Sequence, residues 1–303
     1  MTGSVFVVGA LHLDVVVTAP HLPRRDETVV GHSVAYLVGG KGANQAMAAA
    51  KMGASVAMAG CVGEDSFGAR LLAGLDAGKV DRTQVRQVAG ASGMSVAIVE
   101  AGGEYGAVIV SGVNQEINPS KIVIPASASV LLLQNEIPEA VNLAIAEKSK
   151  ASGLTVILNA APARSVAPDL LAMIDILILN RVETADLLAQ DEPNLDPVKA
   201  ALELADHVPS VILTLGADGL LLAERETVRE APAHRVQAVS AHGAGDALIG
   251  ALAARLANGD TLFEAVGFAQ AAAALHVASP VSERETIKPE TVESFRKGQA
   301  ANR

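Results

Sequence analysis

Short, uniformly apolar runs that alternate with longer helical patterns constrain this chain more than any other feature. Residues 5–8, 55–60, 130–133, 155–158, 174–179 and 211–215 are such runs and read as strands. Residues 42–52, 66–77, 138–151, 182–188, 246–258 and 262–278 carry helical patterns, several of them rich in Ala and Leu. A strand that is apolar on both faces must have both faces covered, and a parallel sheet between two helix layers does this. The pattern therefore predicts an α/β fold, with a doubly wound, mostly parallel sheet flanked by helices. Ligands of such sheets bind beyond the carboxyl ends of the strands, so polar clusters that follow strands are the candidates for function.

Two segments break the rhythm. Residues 27–38 (ETVVGHSVAYLV) are β-branched and alternating. Residues 93–110 form two β-rich runs around residues 100–106 and read as a hairpin. Neither is trailed by a helix. They predict a small antiparallel β lid, built from segments about 13–38 and 93–113 and inserted in a single domain spanning 1–303.

Composition narrows the function. The net charge is −10, with no run of Lys or Arg, and only 2% of residues are aromatic. Both features argue against nucleic-acid binding, which draws on basic patches and stacking platforms. Cys61 is the one cysteine, so no internal disulfide can form; its apolar surroundings read as core. The apolar N-terminus lacks a basic first segment and carries His12 and Asp14, which reads as a buried strand rather than a signal peptide or membrane span. A soluble, cytoplasmic protein is expected.

Six polar clusters follow the predicted strands or join the lid to the core. Gly39-Gly40-Lys41-Gly42-Ala43-Asn44-Gln45 opens an Ala-rich helix. Its glycines let a ligand approach the backbone, and Lys41 and Asn44 add donors suited to hydroxyls; a flexible turn is the plainer reading. No strand is expected to run directly into it, and it matches neither the dinucleotide fingerprint nor the Walker A loop. Gly243-Ala244-Gly245-Asp246 offers N–H groups at a helix start for an anion, with a carboxylate beside them to take a proton. Helix capping by Asp246 is the alternative. Asn180 with Glu183 fits contacts to Mg²⁺-bound water and phosphate, and equally a capping box. Thr214 with Gly216 and Gly219 forms a turn able to hold phosphate. Glu136 follows another strand and could accept from two substrate hydroxyls. Asp14, in an apolar run, needs a partner that a hydroxyl would supply.

Taken in order, GGKGANQA (39–46), LLLQNEIP (131–138), LNAAPA (158–163), NRVET (180–184), TLGADG (214–219) and GAGDALIG (243–250) resemble the ribokinase branch of the PfkB carbohydrate kinases. The resemblance spans nearly the whole chain, and its two glycine-rich motifs are specific. It implies an ATP-dependent kinase acting on the primary hydroxyl of a ribose-like sugar. Asp14, Gly40, Lys41, Asn44 and Glu136 would then hold sugar hydroxyls, with His12 beside them. Asp246 would be the general base, and Gly243, Ala244 and Gly245 the anion hole. Asn180 and Glu183 would organise Mg²⁺ and phosphates, Glu183 reaching the ion through water. Thr214, Gly216 and Gly219 would contact ATP. The lid would cover the sugar and pair with that of a second subunit as a homodimer.

The chain departs from the family in two places. Ser240-Ala241-His242 stands where an acidic residue helps build a monovalent-cation site beside the anion hole, and residues 279–284 also differ from the expected loop. Weak or absent potassium (K⁺) activation is expected, since an oxygen-ligand site loses a formal charge. His12 stands where the branch carries Asn; its flat ring could stack on a base, which leaves a nucleoside kinase of the same family as the alternative. A non-catalytic sensor would have no use for Asp246 as a base. A nicotinamide-dependent oxidoreductase would need the missing dinucleotide fingerprint.

Overall fold

The computed structural model describes residues 3–100 and 105–301. The turn of the expected hairpin, 101–104, lies outside the described residues. From the N-terminus the elements are β1 (Ser4–Val8), β2 (His12–Ala19), β3 (Ser33–Gly39), α1 (Lys41–Lys51), β4 (Ser55–Gly63), α2 (Ser66–Ala77), β5 (Asp81–Val88), β6 (Gly93–Glu100) and β7 (Tyr105–Val110). There follow β8 (Ala128–Gln134), α3 (Glu139–Ala151), β9 (Thr155–Asn159), α4 (Pro168–Leu171), β10 (Ile176–Asn180), α5 (Arg181–Leu187), α6 (Pro197–Ala205) and β11 (Ser210–Thr214). The chain ends with β12 (Leu220–Glu224), β13 (Thr227–Ala231), α7 (Ala244–Ala257), α8 (Leu262–Ala278) and α9 (Pro289–Ala301).

The large sheet has the order β13-β12-β11-β10-β9-β8-β1-β4-β5. From β5 to β11 every pairing is parallel, and β12 and β13 extend the sheet as an antiparallel edge. Its strands are apolar on both faces because each face has its own core. Val5, Val7, Val130, Leu132 and Ile212 face α1, α2, α7, α8 and α9. Phe6, Val8, Leu131, Leu133 and Leu213 face α3, α4 and α6. Cys61 is a buried core residue.

Sequence patterning passed over β5, β12, β13, α4, α6 and α9. The β5 sequence, DRTQVRQV, is polar because it forms an edge, where only Val85 is buried. The start of α6 was locally encoded: Asp196 caps the N–H groups of Val198 and Lys199, and Pro197 takes the first helical position.

The second sheet has the order β3-β2-β6-β7. Its outer pairs are antiparallel, whereas the central β2–β6 pair is parallel. Residues 27–32 of the alternating segment lie outside strands. β3 runs straight into α1 through Gly40, so a strand does enter this cluster, contrary to expectation, but it belongs to the small sheet. Among the described residues no helix is long and apolar enough to cross a membrane.

Sequence-adjacent strands move outward on both sides of β1, so the strand order reverses between β1 and β8. The carboxyl ends of those strands open a crevice at that switch point. Glycines let three backbones converge there. A Cβ on Gly42 would lie 2.7 Å from the Gly9 carbonyl carbon, and one on Gly40, whose φ is +84°, 2.7 Å from the Ala10 oxygen. Farther along, a Cβ on Gly250 of α7 would sit 2.5 Å from Ala48 Cβ and 2.7 Å from Ala49 N in α1.

Gly250→Val is expected to destabilise the protein by about 1–3 kcal/mol through overpacking. Gly298→Ala, in an exposed turn of α9 with nothing within 4 Å of the new methyl, is expected to stabilise it by up to about 1 kcal/mol. Urea denaturation of the two variants checks both signs.

Candidate active site

The parallel strands end in polar residues lying side by side. Gln134 ends β8, Asn159 ends β9, Asn180 ends β10 and Thr214 ends β11; Gln134 pairs with Asn159, and Asn180 with Thr214. A cavity of about 230 Å³ opens over three of them, Asn159, Asn180 and Thr214. Lys41, Glu183, Gly243, Ala244, Gly245 and Asp246 complete its polar wall.

Asp246 sits in the first turn of α7, and α1 holds it from across the crevice. Asn44 Nδ2 donates to Asp246 Oδ2 at 3.2 Å, and Gln45 Nε2 to Oδ1 at 3.0 Å. Gln45 is itself fixed by Gln134 Nε2, which donates to its Oε1 at 2.9 Å; both glutamines are fully buried. Asp246 therefore does not cap its own helix, since Gly243 occupies that position without a side chain. Burial raises the pKa of Asp246 above the ordinary carboxylate value; the Lys41 charge and the two amide bonds oppose the shift.

Gly243 takes a left-handed φ of +76° and turns the chain into α7. The Ala244 N–H donates to the Ala241 carbonyl at 3.1 Å, so it is engaged in a turn and not free for an anion. The N–H groups of Gly243 and Gly245 donate to no other group among the described residues. A Cβ on Gly245 would meet nothing within 4 Å, so its backbone faces open space. Two of the three expected anion-hole donors thus remain available.

The expected sugar-side residues gather beyond Lys41. The Lys41 N–H donates to Glu136 Oε2 at 2.7 Å, and His12 Nδ1 lies 3.9 Å from the same oxygen. Burial raises the Glu136 carboxyl from 4.5 to about 7, against the Lys41 hydrogen bond and charge. Asp14 accepts a short hydrogen bond from Ser95 Oγ of β6. Gly40 joins β3 to α1 beneath them. His12 is only 2% exposed, its ring packed against Gly93, and burial lowers its pKa. A ring so enclosed is not available to stack on a base.

Asn180 and Glu183 form a reciprocal capping box: Glu183 N–H donates to Asn180 Oδ1 at 2.9 Å, and Asn180 N–H to Glu183 Oε2 at 2.8 Å. Both nevertheless line the cavity, and burial raises the Glu183 pKa. Among the described residues no group of three or more His, Cys, Asp or Glu is placed to hold a metal ion. Glu183 on the cavity wall would suit a hydrated Mg²⁺ carried largely by substrate phosphates; a dedicated protein cage does not fit.

Thr214 lines the cavity, whereas Gly216 and Gly219 lie outside its wall. Gly219 has a packing role: with φ of +104°, its Cβ would lie 2.2 Å from the Ala231 oxygen. Sequence reasoning gave no role to Gln45, Gln134 and Asn159, although each stands in a motif it singled out, and it passed over Ser95. Asn159 and Gln134 carried a readable signal, since each is a polar residue ending an apolar strand.

A model described as pfkB family carbohydrate kinase matches residues 2–286. The chain is 34% identical over 288 residues to a ribokinase of Haemophilus influenzae, covering 91% of this chain and 93% of the relative. It is 33% identical over 259 residues to a deoxyribokinase of Salmonella typhi, covering 82% and 84%. The solved Arabidopsis thaliana ribokinase complexed with ribose and ATP superposes with a TM-score of 0.88 at 29% identity, covering 98% and 99% of the chains.

The raised Glu136 carboxyl has a measurable consequence. Below its ordinary value of 4.5 the group is protonated in both folded and unfolded chains, and its contribution to stability is fully present. As pH rises toward and through about 7, that contribution is lost, because the unfolded chain ionises more readily. Urea midpoints of the ligand-free protein between these pH values are expected to fall with rising pH, and to fall less steeply in Glu136→Gln.

Proposed function

We propose that this chain, which belongs to the pfkB family of carbohydrate kinases, transfers the terminal phosphoryl group of ATP to the primary hydroxyl of ribose. The observation that carries the reading is Asp246, held by two amides from another helix beside two free backbone N–H groups at the start of its own. A carboxylate so placed takes a hydroxyl proton while the adjacent donors stabilise charge on the transferring phosphoryl group.

The sugar's hydroxyls would be held by Asp14, Asn44, Glu136 and the Gly40–Lys41 backbone, with the reacting hydroxyl aimed at Asp246. Asp246 accepts its proton as the new oxygen–phosphorus bond forms. The bond from the γ-phosphorus to the bridging oxygen breaks, and ADP leaves with that oxygen. Gly243 and Gly245 donate to the equatorial oxygens, and Lys41 offsets their charge from the opposite wall. Mg²⁺, when bound, neutralises phosphate charge, and Glu183 would reach it through water. The nucleotide would lie along Asn159, Asn180 and Thr214.

The small sheet would act as a lid that excludes water from the reaction. The register puts Asp14 and Ser95 on the same face of this sheet as Ala97, Leu37 and Ile109, with Thr18 and Ser33 as a second polar pair farther along that face. Leu37 and Ile109 are exposed on this face, as are Val34, Tyr36, Val108 and Val110 on the other. Such apolar strands favour burial against a second copy, and a homodimer is the assembly this supports.

ADP release with Mg-ATP, measured across D-ribose, 2-deoxyribose, other pentoses, ketohexoses and nucleosides, tests the assignment. Ribose is expected to give the highest kcat/KM; selective turnover of deoxyribose or of a nucleoside would reassign the substrate. Asp246→Asn is expected to lower kcat by about 10²–10⁴-fold with little change in the KM of either substrate.

A further inference from the structure

The segment leading into the anion hole is held from behind by a cation that belongs to the chain. Three backbone carbonyls, those of Ser240, His242 and Ser279, converge on the Arg284 guanidinium. Arg284 Nη2 donates to the Ser240 oxygen at 2.9 Å, Nη1 to the His242 oxygen at 3.0 Å and Nε to the Ser279 oxygen at 3.3 Å. Arg284 is 7% exposed and makes no ion pair with a carboxylate among the described residues. Its own carbonyl accepts from Lys51 Nζ at 3.1 Å, which ties it to the end of α1. His276 Nε2 donates to the same His242 oxygen at 2.9 Å. The His242 ring is exposed; its carbonyl, one residue before Gly243, is the atom held.

A ring of backbone carbonyls without a carboxylate suits a large monovalent cation, because such oxygens carry only partial charge. Here the guanidinium already engages these oxygens with three of its five donors, so the residues present do not fit a free ion at that point. Loss of the acidic side chain at Ser240 agrees with this: a carboxylate beside a permanent internal cation is not needed to attract a mobile one.

We infer that Arg284 is a positioning residue that replaces a monovalent cation, fixing the Ser240–His242 carbonyls so that the Gly243 and Gly245 N–H groups face the transferring phosphoryl group. The inference rests on the kinase reading for its consequence in turnover, and on the contacts alone for its consequence in ion binding. Turnover should be independent of potassium, because the place of the ion is taken covalently. Removing the guanidinium should misplace the anion hole while leaving both substrates bound.

The experiment compares the wild-type chain with Arg284→Met and Arg284→Lys in potassium, sodium and choline chloride at fixed ionic strength, with and without methylguanidinium. Wild-type kcat and thermal midpoint are expected to be the same in potassium and choline. Arg284→Met is expected to lose about 10²-fold in kcat with little change in KM. Methylguanidinium or potassium should restore part of that loss and raise the thermal midpoint of this variant only. Arg284→Lys should fall between the two. Potassium activation or stabilisation of the wild type would overturn the inference, as would wild-type kcat in Arg284→Met or a loss that no added cation relieves. If Arg284→Met fails to fold, the potassium comparison on the wild type decides. If the wild type turns over no sugar or nucleoside, the kinase reading fails by itself, and the thermal-midpoint comparison still judges the cation.

Discussion

Everything at the centre of this molecule depends on how closely α1 approaches α7 and the end of β1. The approach is closer than side chains permit: Cβ atoms at Gly42 and Gly250 would lie within 2.9 Å of neighbouring backbone. Because those positions are glycine, the N-terminal turn of α1 lies against the switch point, and Asn44 and Gln45 reach Asp246 across the crevice. Interiors are close-packed and stiff, so a helix shifted by the width of a methyl group would take both amides with it. The Ala-rich composition of α1, α7 and α8 follows from the same requirement for thin helix contacts.

The geometry sets an electrostatic problem that the ligand-free protein does not fully solve. Glu136, Glu183 and Asp246 are brought near one lysine, Lys41, and burial raises the pKa of each. Like charges held together in a poorly solvated place favour protonation of some of them. Hydroxyl donors and a hydrated divalent cation would relieve that strain, which suits the polyhydroxyl substrate and phosphate chemistry proposed for the site. The same logic explains how the anion hole is supported. In the proposed site its N–H groups are free, while the carbonyls of Ser240 and His242 just before them accept hydrogen bonds from Arg284 and His276.

Much of the fold was legible locally. The β1, β8, β9, β10 and β11 runs announced themselves because strands buried on both faces must be continuously apolar. The α2 and α8 boundaries matched their patterns, and α2 starts at the cap Asp65. Edge elements were not legible for the reverse reason: β5 and β13 bury a single residue between them, Val85, so no hydrophobic period marks them. The Asn180–Glu183 spacing could be read as a capping box or as a ligand contact. The structure makes it a capping box that also lines the cavity, a dual role that spacing alone cannot express.

By itself the sequence determined the parallel α/β core, the glycine-rich turns and the candidate acids, because hydrophobic period and turn chemistry act over a few residues. Only the tertiary structure decided which groups meet. Gln45 and Asp246 are 201 positions apart, and Arg284 lies 42 and 44 positions from the carbonyls of His242 and Ser240. It enclosed His12 against Gly93, engaged the Ala244 N–H in a turn and set a guanidinium behind the anion hole. A hydrogen bond depends on distance and direction in space, and those are fixed by helices packing on a sheet rather than by the order of residues along the chain.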